Sequence, residues 1–221
     1  KANDEIRRAT QTFFPEIVKW ENYVLIFYTF DFGTYMFNTI IVAIFSTLGT
    51  LITTIFAAFA FARLKFAGRE ALFMLFLATM MIPGELFTIT NYQTVYKFGW
   101  TGSFVVLIVP FLVSVFYIYL LRQTFKQIPD ELYYAAKVDG TGDFKYLLRI
   151  MIPIGLPTII TITILKLMGS WNSYVWPNLV ADKEEMRLIT NGLRGASFTD
   201  AETGRVSYNT QMAATVAVTL P

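Results

Sequence analysis

The sequence predicts an all-α, polytopic transmembrane helical bundle, and three observations predict it. Its 221 residues are 55% hydrophobic and only 15% charged, where a soluble domain carries about 25% charge. Several stretches run almost without charge for about twenty residues, enough to cross a hydrocarbon core of roughly 30 Å. The polar segments between them carry lysine and arginine unevenly, as loops on the two sides of a membrane do. A mean hydropathy of +0.50 fits a chain solvated largely by lipid.

Composition also excludes several classes. The net charge of +2 is small, and no basic stretch is interleaved with base-stacking aromatics, so no nucleic-acid partner is expected. Cysteine and histidine are both absent. That removes disulfide frameworks, thiolate nucleophiles, histidine general bases and ordinary zinc sites. No G-x-x-x-x-G-K-[ST] occurs, so the chain carries no phosphate-cradling P-loop of its own. It opens at Lys1 without a hydrophobic leader and stops at Pro221 inside an apolar run, so both ends are expected to be trimmed.

Residues 1–33 mix charge with aromatics (Phe13, Phe14, Trp20, Tyr23) and read as an external entry segment; 34–221 form the transmembrane domain. The first span is 35–62, with Thr47, Gly49, Thr50, Thr53 and Ala57 giving small residues at helical spacing for close helix contact. A basic turn (Arg63, Lys65, Arg69) leads to a second span, 71–90. Pro83-Gly-Glu85 is expected to kink or break it, because proline removes an N–H and glycine loosens the helix. An aromatic loop, 92–102, precedes the third span, 103–121. The fourth is 150–176, with Pro153 and Pro157 in its first turns; a hydrophilic external loop, 177–210, precedes a truncated fifth run, 211–221. Loops 63–70 and 122–149 hold about eight basic residues in roughly 36 positions, against about nine in roughly 77 on the other side. The first two loops are therefore cytoplasmic, and 1–32, 92–102 and 177–210 are external.

The segment 129–140 reads as a short self-contained helix. Pro129 suits the first helical position, Asp130 and Glu131 favour the positive helix end, and Gly140 is a natural stop. At roughly 16 Å it is far too short to span a bilayer. It could lie on the membrane surface. Acids at its start and alanines at its centre (Leu132, Ala135, Ala136 and Val138 being available for contact) fit a helix docking in a groove of a soluble partner better.

Glu131-Leu-Tyr-Tyr-Ala-Ala-Lys-Val-Asp-Gly, followed by Ile150-Met-Ile-Pro-Ile-Gly-Leu-Pro157, resembles the EAA loop of binding-protein-dependent ABC importer permeases. Three further runs are similar to the maltose-type carbohydrate permeases: Ala60-Phe-Ala-Arg-Leu-Lys-Phe-Ala-Gly-Arg69, Met81-Ile-Pro-Gly84 and Gly169-Ser-Trp-Asn-Ser-Tyr-Val-Trp-Pro177. So is Gln211-Met-Ala-Ala-Thr-Val-Ala-Val-Thr-Leu-Pro221, and the likeness runs from about residue 34 to the end. The resemblance implies a type I importer permease fold with six transmembrane helices, the first before Lys1 and the last running past Pro221. It implies a multi-pass subunit of a prokaryotic cytoplasmic membrane that imports a carbohydrate by alternating access. The implied partners are a homologous permease subunit, cytoplasmic ATPase subunits and an extracytoplasmic solute-binding protein. No cofactor is expected on this chain; ATP and magnesium belong to the partner ATPase, so the chain is not an enzyme. By the same resemblance 129–140 is the coupling helix, with Pro129, Glu131, Leu132, Tyr134, Ala135, Ala136, Asp139 and Gly140 meeting the ATPase. One position departs: Tyr134 stands where the family's triplet opens with glutamate, so a contact attributed to that acid does not carry over.

Other positions compete with plainer roles. Lys166, about mid-span, and Trp171, Asn172 and Tyr174 could line a solute pathway. Equally, a lysine can snorkel or pair with a neighbouring subunit, and aromatics can form an interfacial belt. Glu85 either lines a cavity or sits at the external interface. The alternative is a secondary transporter, or another polytopic protein not coupled to an ATPase; only 83–85 hints at a broken-helix ion site. The native lack of cysteine makes the orientation directly testable. Lys137→Cys in right-side-out vesicles is expected to react with an impermeant maleimide only after permeabilisation, and Lys183→Cys without it; the opposite pattern would invert the topology.

Overall fold

The computed structural model describes residues 3–6, 14, 17–29, 31–196, 198 and 206–219. Phe13, Asp200, most of 197–205 and the last two residues of the fifth run lie outside the described residues. The regular elements described are all helices: α1 (Asn3–Ile6), α2 (Glu21–Thr29), α3 (Phe32–Arg63), α4 (Arg69–Thr79), α5 (Thr88–Lys97), α6 (Phe104–Ile108), α7 (Val115–Lys126), α8 (Asp130–Val138), α9 (Asp143–Tyr146), α10 (Ile152–Trp171), α11 (Val175–Val180), α12 (Ile189–Gly195) and α13 (Tyr208–Thr219). A π-helical turn, Leu147–Met151, joins α9 to α10. The stretches Phe32–Arg63 and Asp143–Trp171 are long and apolar enough to cross a membrane; two bent pairs, Arg69–Thr79 with Gly84–Lys97 and Phe104–Phe111 with Val115–Lys126, qualify if each is one broken span.

The first bend, 83°, falls where the sequence places it. Pro83 has no N–H and pushes the residue before it out of the helical region, so α4 frays through Met80 and Ile82 into a 3₁₀ turn at Gly84–Phe87. The expected span 71–90 is thus two helices, and the expected loop 92–102 begins instead as α5, a polar helix that a search for apolar runs passes over. The second bend, 45°, was not foreseen. Pro110 tightens Val109–Phe111 into a 3₁₀ turn, and Ser114 restarts the helix by accepting from the Tyr117 N–H at 3.4 Å. The fourth span begins at Asp143, seven residues early, and ends at Trp171. Pro153 clashes with the carbonyl of residue 149, and the widened π turn just before it accommodates the clash.

The chain forms two compact units. Residues 42–170 make one, and part of its packing, along the middle of α3, inverts the order of a soluble core. On α3, Ser46, Thr47, Thr50 and Thr54 are buried, whereas Phe45, Leu48, Ile52 and Phe56 are exposed. Small polar residues let helix backbones approach, and lipid accepts the large apolar ones. Thr50 Oγ1 donates to Phe111 O at 3.0 Å and Thr53 Oγ1 to Leu112 O, so α3 satisfies carbonyls freed by the second bend. The apolar centre of the unit is Leu121, Phe125, Tyr146, Leu147, Met151 and Ile162, all 0–1% exposed. There α7 and α10 pack through Gly155, where a Cβ would lie 2.7 Å from the Phe125 ring.

Residues 1–41 and 171–221 make the other unit. In it α2 packs on α13 through Ile26, Ala213 and Ala214. The expected external loop is not a bare connection. Asn38 Nδ2 donates to Glu185 O (2.7 Å) and Arg187 O (3.1 Å), and the Ile189 N–H donates to Thr39 Oγ1 (2.8 Å). Leu188 and Ile189 are buried as a result. In the other unit, Gly155→Ala is expected to destabilise the protein by about 1–3 kcal/mol through overpacking. Thermal unfolding in detergent should show that loss shrinking when Phe125 is also changed to Leu.

Candidate functional site

The helix α8 has a defined beginning and end. Pro129 (φ −57°, ψ 141°) stands just outside as the N-cap, one place before the expected first helical position, and Asp130 and Glu131 occupy the first turn. At the far end Gly140 takes φ +73°. Its N–H donates to Lys137 O (3.0 Å) and that of Thr141 to Ala136 O (2.8 Å), the paired bonds of a Schellman motif. A left-handed residue is needed there, which glycine adopts without steric cost.

One face of α8 is turned into its own unit. Ala136 is 8% exposed and packs with Tyr133 into the Phe125–Tyr146 centre. This corrects one expectation: Ala136, predicted at a partner interface, is enclosed within the chain because the i, i+3 pair Tyr133–Ala136 is the helix's inward stripe. The remaining residues expected there point outward. Tyr134 is 51% exposed, Leu132 43% and Val138 88%; Pro129, Glu131, Ala135, Asp139 and Gly140 are exposed as well.

Two arginines that sequence reasoning counted only as topology markers hold this region together. Arg63, at the end of α3, is buried and donates to Phe125 O (2.9 Å), to Ile128 O and to Asp130 Oδ1. Its pair with Asp130, whose side chain is 70% exposed, counts for little by itself. The two carbonyls, at the unsatisfied end of α7, are the weightier partners. Arg122, on α7, answers in the opposite direction. Its Nε donates to Phe61 O (3.1 Å), its Nη2 to Glu70 Oε2 (2.7 Å), and its guanidinium lies 3.9 Å from the centre of the Phe73 ring. The C-terminal end of each helix is thus capped by a guanidinium from the other.

The C-terminal half of α8 is tied to α9. Tyr133 Oη donates to Asp143 Oδ1 and Lys137 Nζ pairs with the same oxygen, both at 2.7 Å. The hydrogen bond to Asp143 holds the Lys137 ammonium above its ordinary pKa; partial burial, then the same carboxylate, pushes the Tyr133 phenol up. Tyr134 instead meets Lys65, whose Nζ is 3.3 Å from its hydroxyl and 5.8 Å from its ring centre.

The residues named for a solute pathway fall in different units. Lys166, in the last two turns of α10, donates to Phe111 O at 3.0 Å, the carbonyl that Thr50 also serves. In the other unit, Trp171 packs with Tyr35, Ile189 and Val218 and donates its Nε1–H to Val218 O at 2.9 Å. The Tyr174 ring has the Arg194 guanidinium 4.2 Å from its centre, and Asn172 is exposed. Glu85 is exposed in the 3₁₀ turn after Pro83. Among the described residues no group of histidine, cysteine and carboxylate side chains could hold a metal ion.

The sequence profile of the binding-protein-dependent transport system inner membrane component family matches residues 50–221. The chain belongs to that family. Among curated relatives of these inner membrane components, the sn-glycerol-3-phosphate transport system permease protein UgpE of Rhizobium meliloti (strain 1021) is 32% identical over 76% of this chain and 60% of its own length. UgpE of Agrobacterium fabrum is 31% identical with the same coverage, and UgpE of Yersinia pestis bv. Antiqua (strain Antiqua) 25% identical over 99% of this chain and 79% of its own. The match thus spans about 60% of the length of the first two relatives. Among solved structures, a chain of a bacterial ABC transporter involved in the import of the acidic polysaccharide alginate superposes with a TM-score of 0.85 at 22% identity, covering 98% of this chain and 80% of that one. That likeness shows the fold, an all-helical one.

Arg63 is the member of the site most open to test. Arg63→Ala is expected to cost about 2–4 kcal/mol, because the carbonyls of Phe125 and Ile128 lose a buried cationic donor. Arg63→Lys should recover only part of this, since an ammonium cannot reproduce the planar fork. Hydrogen exchange at 126–132 would report it, with rates rising in both variants and further in the alanine one.

Proposed function

We propose that the chain is the membrane-spanning subunit of an ATP-driven importer of a polyhydroxylated solute, a carbohydrate or a sugar or polyol derivative, working by alternating access. The observation that carries the reading is α8: a capped helix too short to cross a bilayer, anchored on one face and presenting Leu132, Tyr134, Ala135 and Val138 to the outside. A helix held this way transmits force without dissipating it in its own flexing. Cytoplasmic ATPase subunits would supply that force on binding ATP and magnesium; the chain itself would do no bond chemistry. A homologous permease subunit would complete the pathway, and an extracytoplasmic binding protein would deliver the solute.

Support for the solute class comes from the relatives, which are named for sn-glycerol 3-phosphate. Lys166 is the candidate pathway residue that suits such a solute best. An ammonium has three donors, and one is directed at Phe111 O, leaving others for hydroxyl or anionic oxygens. Trp171 would act by its ring face, since its N–H is engaged by Val218 O. Asn172 and Tyr174, in the other unit, are candidates by themselves for their amide and aromatic groups.

Val138→Asp combined with Ala135→Asp places two charges on the outward face without touching the buried Tyr133–Ala136 stripe. In the reconstituted transporter this pair is expected to lower solute uptake at least about tenfold, the loss of roughly 1.4 kcal/mol of docking. Basal ATP hydrolysis should persist and become insensitive to loaded binding protein. Unaltered stimulation of hydrolysis would sink the coupling role.

A further inference from the structure

A cavity of about 820 Å³ lies beside α8, between it and the turn from α3 to α4, lined among others by Arg63, Lys65, Arg69, Lys126, Asp130 and Tyr134. Its cations are not equally engaged. Arg63 faces Asp130 and two carbonyls, and Arg69 faces Glu70 Oε1 (3.0 Å) and Leu64 O (3.1 Å). Among the described residues Lys65 Nζ meets the hydroxyl and ring of Tyr134 and no carboxylate, and Lys126 forms no ion pair, although its charge acts on Glu70. Both lysines are exposed, and both line the same cavity. Four cations against the two carboxylates of Glu70 and Asp130 leave the lining net positive.

Its depth and its rim narrow the choice of anion. The 32 residues of α3 make a helix of about 48 Å, longer than the roughly 40–45 Å of a bilayer with its headgroups. A helix of that length is able to bring Arg63, the last of them, to headgroup level on the side where basic residues gather. Phe66 and Ala71 add apolar wall, and α4 continues from the rim with exposed Leu72 and Leu75, a surface an acyl chain can follow. We propose that this cavity binds a phosphate group, held by Lys65, Lys126 and the Tyr134 hydroxyl, and that the phosphodiester of an acidic inner-leaflet phospholipid supplies it. Basic pockets at the cytoplasmic ends of transmembrane helices suit such headgroups. The site shares Tyr134 with the outward face of α8 but does not depend on transport; it needs the chain to lie in a membrane with this end on the cytoplasmic side.

The test uses the full-length protein in detergent, with phosphatidylglycerol, phosphatidylcholine or inorganic phosphate added and retention read by native mass spectrometry. Phosphatidylglycerol should be kept in preference to phosphatidylcholine. K65Q/K126Q should lose that preference by about tenfold or more, and K65R/K126R should restore it. If the two lipids are held alike but inorganic phosphate binds the native protein and not K65Q/K126Q, the same site takes its phosphate from solution. If K65Q/K126Q melts like the native protein and retains both probes equally well, the proposal fails. It also fails if that variant keeps its lipid but no longer co-purifies with ATPase subunits, because the cavity would then receive an acidic protein surface.

Discussion

Carbonyl groups freed where a helix ends or breaks need another donor wherever water does not reach them, and this structure answers them with side-chain donors from neighbouring segments. Arg63 serves the end of α7 and Arg122 the end of α3. Thr50 and Lys166 meet at Phe111 O, and Thr53 reaches Leu112 O. In the other unit the Trp171 Nε1–H donates to Val218 O on α13. The second break is stable here because it is stitched to α3 and α10. The donors fix which helices are neighbours more firmly than apolar contact could, since lipid competes for apolar surface as readily as another helix does.

The same requirement explains what the sequence made legible. Pro83 and Gly140 announce their effects through their own backbones, by a missing N–H and by a left-handed φ, so the first bend and the end of α8 can be read residue by residue. The small residues of α3 likewise mark its buried face. What stayed hidden depends on distant partners. Pro110 lies inside a uniformly apolar run, and its break is tolerated only because Thr50, Thr53 and Lys166 arrive from elsewhere. The helix α5 is polar throughout its middle, so a search for hydrophobic length misses it. The early start at Asp143 was concealed by the π turn, which shifts the register between α9 and α10 and so spoils any single periodicity.

The candidate site was legible in outline and not in orientation. Terminal residues gave its limits, but which side of α8 faces inward depends on Tyr133 meeting Tyr146 and Asp143. Ala136 is therefore enclosed within its unit, and Arg63 and Arg122 act as helix caps besides adding charge to the loops. A basic residue that closes one helix immediately before another element is a signal for such a cap, because long cationic side chains reach carbonyls across a turn.

The attachment of α8 has a mechanical meaning. Its start is held to α3 chiefly by Arg63 on Ile128 O, with the exposed Asp130 pair beside it, and its last two turns to α9 through Tyr133, Lys137 and Asp143. It is a beam of about 13 Å resting on two supports that belong to different spans. A load at its centre divides between them, and a load toward either end favours one. A push near one end would therefore bear on one span more than on the other.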